Sequence, residues 1–321
     1  MSRAAYITRL GPPDEIRWGE LPGPVAGPAD VLVRTSAVAV NPVDTFVRSG
    51  RYPTPTPFPF VIGRDLVGEV VRAGPGFAAG DRVWCASMGH GGRQGSFAEL
   101  VAVPAERLYP LPAGVGAEEA VAVLHPAATA HLALFRHAGL RLGETVYVAG
   151  AAGNVGDALV RMATAAGARV IASARQEDAE RCRTAGAAAV VDYRDPELHA
   201  RIRDAAPGGV GVHVDCSGRH DLVTAVDLLA RGGRIVLLAG TGAHAELPVG
   251  PLYVKDGRLL GFAISNASTA ELAEAARAIN AMLVRGALPA RIAGVLPLRE
   301  AAEAHRRLES GRVRGRLVLR P

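Results

Sequence analysis

The chain has 321 residues, 49% of them hydrophobic and 21% charged, a globular balance with room for two domains. Its three cysteines, Cys85, Cys182 and Cys216, are too far apart for a zinc ribbon or a disulfide framework, which points to a reduced, cytoplasmic setting. The net charge of +5 rests almost wholly on arginine, since Lys255 is the only lysine; arginines spread among acids along the whole chain argue against a nucleic-acid groove. No apolar run reaches the ~18 residues of a membrane span. A single lysine with no tyrosine four residues before it also argues against Tyr-x-x-x-Lys and Schiff-base chemistry.

The first 120 or so residues predict short strands between turns: an alternating, β-branched run over 31–40, then 68–74 and 81–85. Residues 52–59 carry four alternating prolines and predict a surface loop. From about residue 120 the texture changes. A helical pattern over 118–139 precedes strands at 144–149, 168–173, 189–193, 212–216 and 233–239, with helices at 158–166 and 178–185 between them. Apolar strands alternating with helices predict a parallel sheet covered on both faces. Helices over 269–285 and 298–310 follow, then a strand over 315–319 that returns the chain to the first domain. The whole predicts an α/β protein: a β-rich domain from 1–122 and 266–321 around a doubly wound dinucleotide-binding domain from 123–265. The apolar run at 258–262 should fall at the end of the parallel sheet and pair with a second copy in a homodimer.

The sharpest motif lies between a strand ending at Ala149 and a helix starting near Asn154. Its fingerprint positions are Ala151, Gly153 and Gly156, with Asn154 and Val155 inside the turn. Gly153 lets a pyrophosphate approach the backbone, Gly156 lets helix and strand pack closely, and the helix N-terminus offers N–H groups to phosphate. Asp157 should face away from it. About 20 residues on, an NAD site would place an acid on the ribose. Here Ser173 and Arg175 stand instead, a hydroxyl and a guanidinium suited to a 2′-phosphate, which favours NADPH.

On these residues, and on the runs at 39–53, 63–70, 80–83, 95–99, 128–130, 191–194, 215–218 and 315–319, the chain resembles the medium-chain dehydrogenase/reductase superfamily. Within it, it is most similar to the zinc-independent, zeta-crystallin-like quinone oxidoreductases. The resemblance implies a GroES-like catalytic domain, a Rossmann domain, and a nicotinamide–substrate cleft lined by Asn41, Tyr52 and Thr129. Asn41 would donate its amide to a carbonyl oxygen, Thr129 a hydroxyl, and Tyr52 a flat ring. It implies Ser173, Arg175 and Tyr193 on the adenosine side, Ser217 among the cofactor-binding residues, and Arg312 or Arg314 reaching the 2′-phosphate. Gly240, Phe262 and Ile264 would lie along the cofactor. Zinc-dependent relatives carry a cysteine near Asn41 and Gly-His-Glu where this chain has Gly63, Arg64 and Asp65. Cys85, His90 and His125 are too scattered to converge on zinc, so no metal is expected. Phe46 stands where many relatives carry tyrosine, and Asn154 where they carry a smaller residue.

The activity implied is NADPH-dependent hydride transfer to a quinone or other α,β-unsaturated carbonyl. An enoyl-thioester or enone reductase, and a non-catalytic NADPH-binding protein of the RNA-binding or crystallin kind, are the alternatives. Two bland expectations accompany these. His125 beside Pro126 reads as packing at a helix start, and the arginines over 306–316 read as a solvated face.

Overall fold

The computed structural model describes residues 1–321 as two compact units. In chain order, β1 (Ser2–Ile7) and β2 (Arg17–Leu21) precede β3 (Asp30–Ala39) and α1 (Pro42–Ser49). Then come β4 (Phe60–Val61), β5 (Asp65–Arg72), β6 (Arg82–Cys85), β7 (Leu100–Pro104), β8 (Tyr109–Pro110) and α2 (Ala117–His131). The parallel sheet and its helices comprise β9 (Thr145–Ala149), α3 (Asn154–Ala165), β10 (Arg169–Ala174), α4 (Ala179–Thr184), β11 (Ala189–Asp192), α5 (Leu198–Ala205), β12 (Val210–Asp215), α6 (Leu222–Leu228), β13 (Leu229–Leu237), α7 (Val249–Val254) and β14 (Arg258–Gly261). The chain ends with α8 (Thr269–Val284), β15 (Ile292–Pro297), α9 (Ala301–Glu309) and β16 (Arg316–Arg320).

The first unit is Met1–Ala128 with Ser268–Pro321, and the second is Thr129–Ala267, so the divisions fall at 128/129 and 267/268 against the expected 122/123 and 265/266. The first unit holds a mixed sheet in the order β15-β16-β3-β5-β6-β8, with β7 also paired to β3, and a small sheet β2-β1-β4. The closing strand returns as expected, with Val318 opposite Ala39. Inward side chains such as Ile7, Val33, Phe60, Leu66, Phe97 and Leu319 form one buried core. Pro42 starts α1 where its missing N–H costs nothing, Asp44 accepts the Asn41 N–H at 2.7 Å, and Gly50 ends the helix at φ 80. This helix was hidden in sequence by its eight-residue length.

The second unit is a six-stranded, wholly parallel sheet in the order β11-β10-β9-β12-β13-β14. Its central strands are apolar on both faces, because helices cover both. β14 lies at the sheet's end, as its sequence led us to expect. The helical pattern over 118–139 is one α-helix that runs through Pro126 and continues as a π-helical segment, Leu132–His137. His125 is therefore mid-helix, which corrects its placement at a helix start. No helix is long and apolar enough to cross a membrane.

Candidate functional site

In the second unit, β9 ends at Ala149 and α3 begins at Asn154, with Gly150 at φ 80 and Gly153 as the N-cap. A Cβ on Gly156 would lie 2.2 Å from the Gly150 carbonyl oxygen and 2.6 Å from Ala151 Cα, so the helix can leave the strand this closely only at glycine. A Cβ on Gly153 would meet only the Gly150 oxygen, at 3.3 Å, and Gly153 is exposed, which leaves its outer side to a phosphate. Asp157 is buried against two arginines: Arg161 Nε donates to it at 2.8 Å and Arg181 Nη2 lies 3.1 Å away. Arg181 also donates to the Ala152 carbonyl at 3.1 Å, so α4 braces the turn.

Around this turn, Ser173 is buried; its hydroxyl accepts from Tyr147 Oη at 2.9 Å and its carbonyl from the Ala151 N–H at 3.0 Å. Arg175 stands outside, its Nε donating to Tyr193 Oη at 3.0 Å and its Nη1 to Glu177 at 3.4 Å. The Arg194 guanidinium lies 5.6 Å from the centre of the Tyr193 ring. At the end of β12, Asp215 accepts from the Ser217 N–H at 2.8 Å and hydroxyl at 2.7 Å, and its other oxygen lies 2.9 Å from His220 Nδ1. Gly240, at φ 71, passes His220 where a Cβ would meet Nε2 at 2.9 Å. These edges border a cavity of about 460 Å³ lined by Tyr147, Gly150, Ser173, Tyr193, Asp215 and Ser217, among others. His213 lines it too, and burial pushes its imidazole down to about 4. Phe262 stacks on His137 at 4.2 Å, and Ile264 opens a short 3₁₀ turn.

The structure thus gathers Ala151, Gly153, Gly156, Ser173, Arg175, Tyr193 and Ser217 at one end of the parallel sheet. Tyr147, Gly150, Arg181 and His220 belong there and were missed. Gly150 and Tyr147 had a signal in the glycine-rich turn and in the strand that leads into it; Arg181 and His220 come from segments with no motif of their own.

In the first unit, Asn41 is fully buried. Its amide nitrogen donates to Asp65 at 3.0 Å and to the Ala39 carbonyl at 3.3 Å, while its oxygen accepts from Arg316 Nη2 at 2.5 Å. Both amide hydrogens are engaged, so Asn41 orients Asp65 and Arg316, where a donor pointing at substrate was expected. Asp65 Oδ1 lies 3.4 Å from His125 Nδ1 and Oδ2 lies 3.5 Å from Arg316. Arg316 is buried, which corrects its place in a solvated face; Arg306 and Arg307 are exposed as expected. Burial, then the Asp65 charge, raise the Asp44 carboxyl to about 6, against its bond from the Asn41 N–H and the charges of Arg64 and His125. The buried Arg64 guanidinium lies 5.9 Å from the half-buried Tyr52 ring, and His90 meets that ring edge-on at 5.9 Å.

Thus Asn41 and Tyr52 join Asp44, Arg64, Asp65, His125 and Arg316 in one charged cluster. Replacement of Gly-His-Glu by Gly-Arg-Asp was its sequence signal. No group of three or more His, Cys, Asp or Glu side chains is placed to hold a metal ion. Thr129 belongs to the second unit, and Arg312 and Arg314 are exposed in the first, between α9 and β16.

Two family models match the chain: an alcohol dehydrogenase GroES-like domain over residues 27–113 and a zinc-binding dehydrogenase over 154–281. A quinone oxidoreductase of Pseudomonas aeruginosa is 31% identical over 100% of both chains. A 2-haloacrylate reductase of a Burkholderia species is 28% identical over 100% of this chain and 99% of its own. Among solved structures, an NAD-dependent alcohol dehydrogenase superposes with a TM-score of 0.88 at 33% identity over 99% of each chain. A mycobacterial relative solved with NADPH gives 0.86 at 29% identity over 100% of each. Full-length likeness of this kind, on a GroES-like unit and a Rossmann sheet with an intact phosphate turn, means that the chain is an oxidoreductase of the quinone oxidoreductase family of medium-chain dehydrogenases/reductases, built to take a nicotinamide cofactor.

Proposed function

We propose that the protein is a zinc-independent, NADPH-dependent reductase of quinones or other α,β-unsaturated carbonyl compounds. The observation that carries the cofactor choice is the edge beyond β10, where Arg175, Tyr193 and Arg194 present positive charge and hydroxyl. The last residues of that strand, Ser173 and Ala174, include no acid; of the neighbouring acids, Glu177 pairs with Arg175 and Asp192 binds the Gln176 N–H. The residues fit the cofactor: the Gly150–Gly156 turn would hold its pyrophosphate on α3, and Arg175 with Tyr193 its 2′-phosphate.

When bound, the reduced nicotinamide supplies hydride. The chain's own residues bind and orient the acceptor. The Tyr52 ring offers a flat apolar face, and the buried Arg64 charge favours the oxygen on which negative charge develops. Asn41 acts as a positioning residue that holds Asp65, and through it His125, in one geometry. Thr129 contributes its hydroxyl from α2. A guanidinium in place of a zinc ligand supports metal independence, because Arg64 already supplies fixed positive charge. The homodimer expected from β14 belongs to this reading.

Two measurements test it. NADPH oxidation against neutral quinones and enones should exceed the uncatalysed rate; tight NADPH binding with no acceptor turned over would leave only a binding protein. NADPH should bind more tightly than NADH, and Arg175→Ala should shrink that preference by about 1.5–3 kcal/mol, or roughly 10–150-fold. Equal dissociation constants in the unaltered protein would defeat the cofactor assignment.

A further inference from the structure

The glycine-rich loop at 89–95 of the first unit gathers positive charge for which the reading above has no use. Arg93 Nη2 donates to the Ser87 carbonyl at 3.4 Å, and Arg107 Nη1 donates to the Ser87 hydroxyl at 3.4 Å, so two guanidinium groups converge on one residue. Arg93 Nε is buried with no hydrogen-bond partner. Glu106 lies 4.0 Å from Arg107 but is 65% exposed, a weak counter-charge. Burial, then Arg107, with a smaller push from Arg64, lowers Arg93 from its ordinary value. His90, on the same loop, is lowered by burial and then by Arg64, Arg93 and Arg107. Its Nδ1 lies 3.2 Å from Thr54 Oγ1, and its ring meets Tyr52.

Three guanidinium groups acting on one imidazole repel one another, and an anion among them turns that repulsion into attraction. A carboxylate matches the two-armed geometry of a guanidinium. Arg93, though not Arg107, also lines a separate apolar cavity of about 490 Å³. The Tyr52 ring, edge-on to His90 beside the two guanidinium groups, offers the apolar face that an anion with an apolar body needs. Tyr52 and Arg64 link the loop to Asn41 and Asp65 within the same unit. We propose that Arg93 and Arg107 bind a carboxylate carried by the acceptor, so that the preferred substrates are apolar unsaturated carbonyl acids. This deepens the reductase reading and rests on it.

The test compares 4-carboxybenzylideneacetone with its methyl ester, two enones that differ in charge far from the reacting alkene. NADPH oxidation should favour the acid by roughly tenfold or more in kcat/KM. That ratio should fall to about one in Arg93→Gln and in Arg107→Gln, two variants that guard against misfolding of either. Equal rates for acid and ester, or a preference that survives both substitutions, would overturn the carboxylate site and leave the reductase reading intact. If neither enone nor a neutral naphthoquinone is reduced, the reductase reading fails. Calorimetric titration then decides the site alone: acid binding more tightly than ester, with the difference lost in Arg93→Gln, sustains it, and equal binding ends it.

Discussion

His305 has no exposed surface, and neither of its ring nitrogens has a hydrogen-bond partner; its ring meets Phe97 edge-on at 6.1 Å. Burial, and then the Arg48 charge, push the imidazole down to about 3. An unfolded chain protonates this ring near pH 6.5, whereas the folded one resists until about pH 3. Its contribution to stability is therefore whole above pH 6.5 and is lost as pH falls toward 3, by about 5 kcal/mol at the acid end. His305→Leu should keep the melting temperature at pH 7 and move acid unfolding to lower pH; an unmoved acid limb would mean the ring is not the sensor. The phosphate turn allows a sharper contrast. Gly156→Ala forces a methyl into backbone atoms and should cost about 3 kcal/mol of stability. Gly153→Ala has an ordinary φ of -73 and meets only the Gly150 carbonyl oxygen, at 3.3 Å, a tight contact that a small shift relieves, so stability should fall by about 1 kcal/mol or less, well below the loss at Gly156. Its NADPH affinity should nevertheless drop by about 1.4 kcal/mol, or roughly tenfold. Thermal melts and cofactor titrations on both variants separate the two roles.

Elements announced themselves in sequence where periodicity was strong. The strands β3, β5, β6, β9, β10 and β12 carry apolar or β-branched runs, and the turn between β9 and α3 carries its glycines. β1, β2 and β7 went unread because none carries an alternating β-branched run as long as that of β3, and α5, α6 and α7 because six to eight residues give barely two helical turns and neither α5 nor α7 starts on a capping side chain. What sequence did not reveal was the direction of charged side chains: β13 and β16 were both read as strands, but nothing in their pattern showed that an arginine of each faces inward. Arg316 in β16 is one example and Arg234 in β13 another. Arg234 is 5% exposed and donates to Ala138, Gly139 and Gly211 carbonyls and to both oxygens of Glu144, tying the end of the π-helical segment to β9 and β12. Arg234→Met strands Glu144 and three carbonyls together and should cost about 3–5 kcal/mol. Arg234→Lys should recover only part, because an ammonium lacks the planar fork. Denaturant midpoints for the two variants check the order; a Met variant as stable as the parent would refute the tie.

For the whole molecule, the free edge of the parallel sheet is the feature to test. β14 ends that sheet with Leu259 and Leu260 half-buried, and nearby α7 exposes Val249, Tyr253 and Val254 by 64%, 71% and 66%. Pairing of two copies about a two-fold axis would cover both edges at once. Light scattering should return twice the 33.3 kDa chain mass, and Leu260→Asp should lower it toward one chain. A single-chain mass for the parent would refute the dimer, and an intact dimer in the variant would move its interface elsewhere. The division of the first unit into Met1–Ala128 and Ser268–Pro321 also sets a timetable. A ribosome delivers the N-terminal segment first, at about 5–20 residues per second. The second unit, one unbroken stretch, can close as soon as it emerges. The first cannot: the Val38–Ala39 end of β3 waits for Val318 and Leu319, made after the whole second unit, to pair with it. Birth order and completion order of the two units are therefore reversed, and while the second unit is made the end of β3 stands as an open strand edge, the kind of surface that chaperones shield.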